Sequence, residues 1–245
     1  MAEASPKVVV VVPTFNERQN LPVLVERLAG LELPNLHVLE VDDNSPDGTG
    51  ALADRLAASS PGTVGVLHRT EKRGLGRAYV AGMTRAVNEG ADIVIQMDAD
   101  LSHPVAVVPV MLDVLGSSDA AVVIGSRYVA GGSTAGDWPW YRKALSVSAN
   151  LYVNAILRLH VKDATAGFRA YRATTLSAID LRSIDSNGYS FHVELTYRTV
   201  QCGLEIVEVP IGYVERVSGA SKMSLRVQIE SALTPWKLLL HRRRA

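Results

Sequence analysis

Asp98 and Asp100 stand one residue apart in the stretch Met97-Asp98-Ala99-Asp100-Leu101-Ser102-His103-Pro104. Carboxylates at that spacing are hard oxygen donors suited to Mg²⁺ or Mn²⁺, and an ion they hold can bridge to a diphosphate. The same residues would equally make a solvated turn leading into the next helix, with Pro104 in its first turn. Two other polar stretches share this character: Pro13-Thr14-Phe15-Asn16-Glu17 and Asp42-Asp43. Each of the three follows a short apolar run, at 8–12, 36–41 and 92–96, that reads as a buried strand. In an open parallel sheet the carboxyl ends of the strands gather at one edge, and that edge binds ligands. Acidic side chains there can accept hydrogen bonds from the base and ribose of a nucleotide. The Asp-x-Asp pair then holds the metal on its diphosphate.

The remaining chain must supply that sheet and its cover. Leu21, Leu24, Val25 and Leu28 form a helical stripe behind the first strand, with Asn16 as the expected N-cap. Asn44-Ser45-Pro46-Asp47-Gly48 is turn chemistry. A helix is expected at 49–58, a strand at 64–67, a helix at 75–88, a helix at 105–115 and a strand at 120–124. After a Gly-, Ser- and Thr-rich segment at 130–137, helices are expected at 141–159 and 191–201 and strands at 167–171 and 205–214. A small-residue loop at 217–224 precedes a last helix that ends in His241-Arg242-Arg243-Arg244. This alternation predicts an α/β fold, a mostly parallel central sheet with helices on both faces. No internal repeat or linker interrupts it. One domain over 1–245 is expected, with a nucleotide- and metal-binding half at 7–125, an acceptor-side half at 126–224 and an amphipathic, basic helix at 225–245.

Composition excludes several classes. The 25 Lys and Arg balance 25 Asp and Glu, so no nucleic acid partner is expected. Cys202 is the single cysteine, which excludes an internal disulfide and fits a reducing, cytoplasmic compartment. No secretory leader opens the chain, and its apolar runs fall short of the ~20 residues that cross a bilayer. A soluble or peripheral protein is expected. The first strand lacks the Gly-x-Gly-x-x-Gly of a dinucleotide-binding unit, and no P-loop or Gly-x-Ser-x-Gly elbow occurs.

The strand-end residues resemble glycosyltransferase family 2, whose fold is a GT-A type nucleotide-binding sandwich with an Asp-x-Asp metal motif. Within that family, Asp42-Asp43-Asn44-Ser45-Pro46-Asp47-Gly48-Thr49 and Asp98-Ala99-Asp100-Leu101-Ser102-His103-Pro104 are similar to the dolichol-phosphate mannose synthases. So are Gly125-Ser126-Arg127-Tyr128, Asp163 with Gly167-Phe168-Arg169-Ala170-Tyr171-Arg172, Gly188-Tyr189-Ser190-Phe191, Val209-Pro210, and the block from Glu215-Arg216 to Gly219-Ala220-Ser221-Lys222. The matching blocks run in order over about 8–224 and lie nearest the actinobacterial polyprenol monophosphomannose synthases. Phe15 departs from the family's usual tyrosine but keeps a ring that can stack on guanine. Ser102 stands where some relatives have glutamine near the metal.

The resemblance implies transfer of mannose from GDP-mannose to a polyprenyl (dolichyl-type) phosphate, inverting and dependent on Mg²⁺ or Mn²⁺. It implies metal ligands Asp98, Asp100 and Ser102, and catalytic roles for Asp100, Arg127 and Arg142. GDP-mannose would be held by Pro13, Phe15, Glu17, Val41, Asp42 and Asp43 on one side. Asp98, Ala99, Asp100, Arg127, Arg216 and Lys222 would hold it on the other. A phosphate monoester is already anionic near neutral pH, so no general base is expected. The burden falls on the leaving diphosphate and on cations that hold two anions together. Arg216 and Lys222 flank a loop that would close over the nucleotide.

The lipid must reach this site. The stretch 145–159 and the ending 236–244 set apolar residues beside cations, which fits peripheral attachment to the cytoplasmic face, aided by a membrane-anchoring partner as the resemblance implies. Their alternative is packing on the core with a solvated arginine tail. His103 is expected to pair with backbone beside the metal, whereas His37, His68 and His160 are expected to face solvent alone. Rival functions are transfer from UDP-glucose, transfer to a saccharide hydroxyl, and a non-catalytic nucleotide-sugar binder.

Overall fold

The computed structural model describes residues 5–136, 138–184, 186, 188–215 and 225–242. Its centre is β1 (Val8–Thr14), all seven residues of which are buried. Alternate valines of this strand feed two cores: Val8, Val10 and Val12 face one, Val9 and Val11 the other. A strand covered on both faces needs apolar residues at every position, and the run of valines meets that need.

Around β1 lies a seven-stranded sheet. Its strands are β2 (Leu36–Asp42), β3 (Val64–His68), β4 (Ile93–Gln96), β5 (Val122–Ser126), β6 (Arg169–Arg172) and β7 (Ile206–Pro210), ordered β3-β2-β1-β4-β6-β5-β7. Val10 pairs with Val38 on one side and Ile95 on the other, both in parallel register. The one reversal is β6, antiparallel to both β4 and β5. Its first residues therefore lie beside the last residues of β4, with Gln96 opposite Arg169. The carboxyl ends of the other six strands and the start of β6 thus share one edge.

The first core packs under α1 (Asn20–Ala29) and α4 (Val108–Ser117), through Leu24, Leu28, Val108 and Met111. The second packs under α3 (Leu75–Asn88) and α7 (Tyr189–Gln201), through Tyr79, Met83, Phe191 and Leu195. α2 (Thr49–Ser59) covers β2 and β3, and α6 (Ala173–Ala178) follows β6 directly. A third, smaller core joins α5 (Trp140–Leu157), α7 and α8 (Leu225–Arg242). Leu238 and Leu239 pack against it, whereas Leu240 is 60% exposed.

Two local expectations are corrected. Asn16 does not cap α1, which begins at Asn20; Asn16 sits in a left-handed turn (φ 62°), and the carbonyl of Glu17 accepts from the first helical N–H groups. The helix expected at 105–115 opens instead with a 3₁₀ turn, Val105–Val107.

Candidate active site

The edge assembles from three strand ends, each followed by a non-glycine residue in the left-handed region: Asn16 after β1, Asn44 after β2 and Leu101 after β4. Asparagine tolerates that conformation; leucine does not readily. Leu101 packs against the first core, which offsets the strain of its φ of 62°. The turn it makes folds Ser102 back on Asp100. The Ser102 N–H (3.2 Å) and hydroxyl (2.6 Å) both donate to Asp100 Oδ1.

Asp98 is oriented from α3. Gly82 lets that helix sit close on the sheet, since a Cβ there would come within 2.5 Å of Val11 and 2.7 Å of Val41. One turn earlier, buried Tyr79 donates its hydroxyl to Asp98 Oδ1 at 2.6 Å. Burial, and then the Asp98 charge, push the Tyr79 pKa well above 10, so it remains a donor. The remaining oxygen, Asp98 Oδ2, lies over Gly167, 3.5 Å from where a Cβ would stand. His103 Nδ1 accepts from the Asp98 N–H at 3.1 Å, as expected, and stacks on Phe168.

Asp98 and Asp100 are oxygen donors held by separate hydrogen bonds. Among the described residues no group of three or more His, Cys, Asp or Glu is set to enclose a metal. Two hard carboxylate donors so held would fit a divalent cation such as Mg²⁺ or Mn²⁺. Ser102 spends its hydroxyl proton on Asp100, so it orients that carboxylate while its oxygen lone pairs remain.

At the end of β2 the adjacent acids part. Asp42 accepts from the Ser45 N–H at 3.2 and 3.3 Å and stands 3.9 Å from His68, which bonds Asp54 at 2.8 Å. His68 therefore has two acidic companions, contrary to expectation, because β3 pairs with β2 in a register that sets it opposite Asp42. His37 likewise meets the Gly62 carbonyl at 2.5 Å. Asp43 forms an ion pair with Arg69, although burial holds its carboxyl above the usual range. Phe15 is half-buried with the Lys72 ammonium 3.4 Å from its ring centroid. The Glu17 side chain accepts from Asn20 at 2.8 Å. Pro13, Val41 and Ala99 are buried, Val41 under Gly82, which leaves backbone as what they offer a ligand.

Beneath these acids, Glu40 is wholly buried, hydrogen-bonded by the Thr14 hydroxyl, with no partner for Oε2 among the described residues. Burial pushes its carboxyl up to about 8 from an ordinary 4.5. The folded state thus binds the extra proton. The stability this confers is complete below about pH 4.5 and is lost as pH rises through about 8. Glu40→Gln, permanently neutral, should melt several degrees above the parent at pH 8.5, at about 2–4 °C per kcal/mol for a chain of this size. The gap should shrink toward pH 5; thermal melts giving a pH-independent gap would contradict the assignment.

Arg127 follows β5 and is clamped by Asp163: Nε to Oδ2 at 2.7 Å, Nη2 to Oδ1 at 2.7 Å, with a further bond from Nη2 to Thr165 at 3.0 Å. Arg142, in the first turn of α5, lies with Cζ 4.2 Å from the Trp138 ring centroid and donates to Glu215 at 3.1 and 3.3 Å. Trp138 Nε1 donates to the same carboxylate at 2.6 Å. Ring contacts then run through Tyr213 to His103, linking this cluster to the Asp98 turn. Arg216 and Lys222 lie outside the described residues, as does the expected loop at 217–224.

The sequence alone does not mark Tyr79, Arg69, Gln96 or His192 as belonging to the site. Tyr79 falls on the apolar stripe of α3 and reads as core; the others owe their place to contacts between distant segments.

Residues 9–179 match the model of glycosyl transferase family 2. The chain belongs to glycosyltransferase family 2. Among family relatives, the polyprenol monophosphomannose synthase of Mycolicibacterium smegmatis is 48% identical over 218 residues, covering 89% of this chain and 81% of that protein. The undecaprenyl-phosphate mannosyltransferase of Micrococcus luteus is 47% identical over 234 residues, covering 95% of this chain and 94% of the relative. A crystal structure of glucosyl-3-phosphoglycerate synthase from Mycobacterium tuberculosis, in complex with Mn²⁺, UDP and glucosyl-3-phosphoglycerate, superposes with a TM-score of 0.69. It covers 96% of this chain and 79% of that one at 19% identity, and so bears out the GT-A fold expected of a family 2 enzyme.

Proposed function

We propose that this glycosyltransferase moves mannose from GDP-mannose to a polyprenyl phosphate, with inversion at the anomeric carbon. The observation that carries the reading is the pairing of an Asp98–Asp100 diphosphate end with an acceptor end built on Arg142, in a chain nearly half identical to two polyprenyl-phosphate mannosyltransferases. Mg²⁺ or Mn²⁺ held by Asp98 and Asp100 would supply Lewis-acid stabilisation of the departing diphosphate. Asp43 and Phe15 would receive the guanosine, and Arg216 and Lys222 would hold its phosphates. An oxygen of the acceptor phosphate attacks the anomeric carbon as the bond to the GDP β-phosphate breaks. That oxygen is already anionic, so no side chain needs to remove a proton. Arg142 would hold the acceptor phosphate, exchanging Glu215 for it. Arg127, whose Nε and Nη2 are taken by Asp163, would support the wall and offer Nη1 alone.

The acceptor's tail favours a membrane surface. Trp140, Tyr141, Leu145 and Leu151 of α5 are 81, 62, 54 and 66% exposed, and Leu233, Trp236 and Leu240 of α8 are 49, 52 and 60% exposed. The two helices are tied through Tyr152, which accepts from Trp236 Nε1 at 2.9 Å and donates to the Ala232 carbonyl at 2.7 Å. Lys143 of α5 and Lys237 of α8 are exposed as well. Exposed tryptophan, tyrosine and lysine on two joined helices suit the headgroup level of an anionic cytoplasmic leaflet. No described helix is long and apolar enough to cross a membrane.

One experiment tests both parts. Vesicles carrying anionic lipid and polyprenyl phosphate, supplied with Mg²⁺, should support faster transfer from GDP-mannose than from UDP-glucose. The protein should float with the vesicles, and Trp140→Ser with Trp236→Ser should weaken flotation about tenfold. A preference for UDP-glucose would overturn the donor, and unchanged flotation of the double variant would overturn the surface.

A further inference from the structure

The antiparallel strand β6 and the helix α7 bring one more group to the Asp98 end of the site. His192 is 3% exposed, and its Nε2 lies 3.6 Å from the point where a Gly167 Cβ would stand. Asp98 Oδ2 and His103 Cε1 are each 3.5 Å from the same point. Glycine at 167 keeps this point clear of any side chain.

The protonation pattern of His192 follows from its partners. Gln96 Nε2 donates to the Gly167 carbonyl at 2.8 Å, and a carbonyl can only accept, which fixes the orientation of the amide. The Tyr171 hydroxyl donates to Gln96 Oε1 at 3.2 Å, in agreement. The second proton of Gln96 Nε2 then points to His192 Nδ1, 2.9 Å away, which must accept it. Nδ1 has no proton, so the neutral ring carries its proton on Nε2. Burial, and then the charge of Arg169, which donates to the His192 carbonyl, hold His192 well below the usual histidine pKa. Among the described residues, no group accepts the Nε2–H.

We propose that His192 donates its Nε2–H to a hydroxyl of the sugar being transferred, and so sets the strength with which the donor's sugar, rather than its nucleotide, is held. This deepens the function proposed above and rests on it. The sugar hangs from the phosphate that a metal on Asp98 would grip, so a donor beside Asp98 Oδ2 meets the sugar first. A neutral donor suits a neutral hydroxyl. The anionic acceptor must arrive from the side opposite the departing diphosphate, so a donor beside the diphosphate is free to serve the sugar. A fixed donor that meets a matching oxygen of one ligand discriminates against ligands that lack it.

The test separates sugar from nucleotide. With saturating polyprenyl phosphate, His192→Phe should raise KM for GDP-mannose about tenfold, the loss of roughly one hydrogen bond. The inhibition constant of GDP and the half-saturating Mg²⁺ should stay within about twofold. His192→Gln, which keeps an N–H, should recover most of the loss. An unchanged KM, or KM rising in step with the GDP constant or the Mg²⁺ requirement, overturns the proposal. In wild-type protein labelled with ¹⁵N-histidine, the His192 ring should show the Nε2–H tautomer. Its Nε2 resonance should move with GDP-mannose and Mg²⁺ but not with GDP and Mg²⁺. The opposite tautomer, or an equal response to both ligands, overturns it even if the phenylalanine variant fails to fold. Wild-type protein that ignores GDP-mannose would sink the proposed function itself. An active wild type indifferent to His192 would sink only this inference.

Discussion

Asp98→Asn is expected to lower the rate of mannosyl transfer about a thousandfold, equivalent to roughly 4 kcal/mol of lost transition-state stabilisation. The substitution is nearly isosteric. The amide oxygen can still accept from Tyr79 at the Oδ1 position, so melting temperature should stay within a degree or two. What changes is the oxygen over Gly167, which becomes an N–H₂ that repels a cation. Raising Mg²⁺ or Mn²⁺ should therefore not restore the rate, and chelation of the wild type should mimic the variant. Steady-state kinetics at several metal concentrations, with a thermal melt alongside, gives the answer. Near-normal turnover by Asp98→Asn, or by chelator-treated wild type, would remove the metal from this mechanism.

Asp163→Ala should act oppositely, costing about 3–5 kcal/mol of stability. Asp163 is wholly buried and receives the Arg127 N–H, Nε and Nη2 together with the Thr165 hydroxyl. Burial works against the charge on Arg127, but Asp163 outweighs it and holds the guanidinium above its usual pKa. Removing the carboxylate strands a cation whose side chain is 10% exposed. Denaturant titration should show a lower midpoint at unchanged slope. Arg127→Met combined with Asp163→Leu should recover much of the loss, because a buried pair replaced by apolar groups is often neutral while a broken pair is not. Equal stability of Asp163→Ala and the wild type would show the clamp to be idle.

The two predictions differ in how far sequence alone could reach them. Asp98 and Asp100 announce themselves by type, spacing and a preceding apolar run, because strand ends and turn chemistry are local properties. Arg127 was legible as a cation beside the site, but its partner lies 36 positions away and only packing brings Asp163 beneath it. Tyr79 shows the converse difficulty: its position in the apolar stripe of α3 is core by periodicity, yet its hydroxyl serves Asp98. His68 looks solitary in the sequence for the same reason, since its acidic companions come from β2 and α2.

The residues by themselves determined the family, the strand–helix alternation, the valine strand buried on both faces, and the gathering of three acidic strand ends at one edge. Hydrophobic period and turn residues encode these within short windows. The direction of β6 was decided only by the tertiary structure. Its four residues pair equally well either way by composition, and the antiparallel choice depends on how the long excursion through α5 returns to the sheet. That choice sets Gly167 beside Asp98 and draws Gln96 and His192 together across 96 positions. Strand direction rests on contacts between distant segments, which no local pattern records.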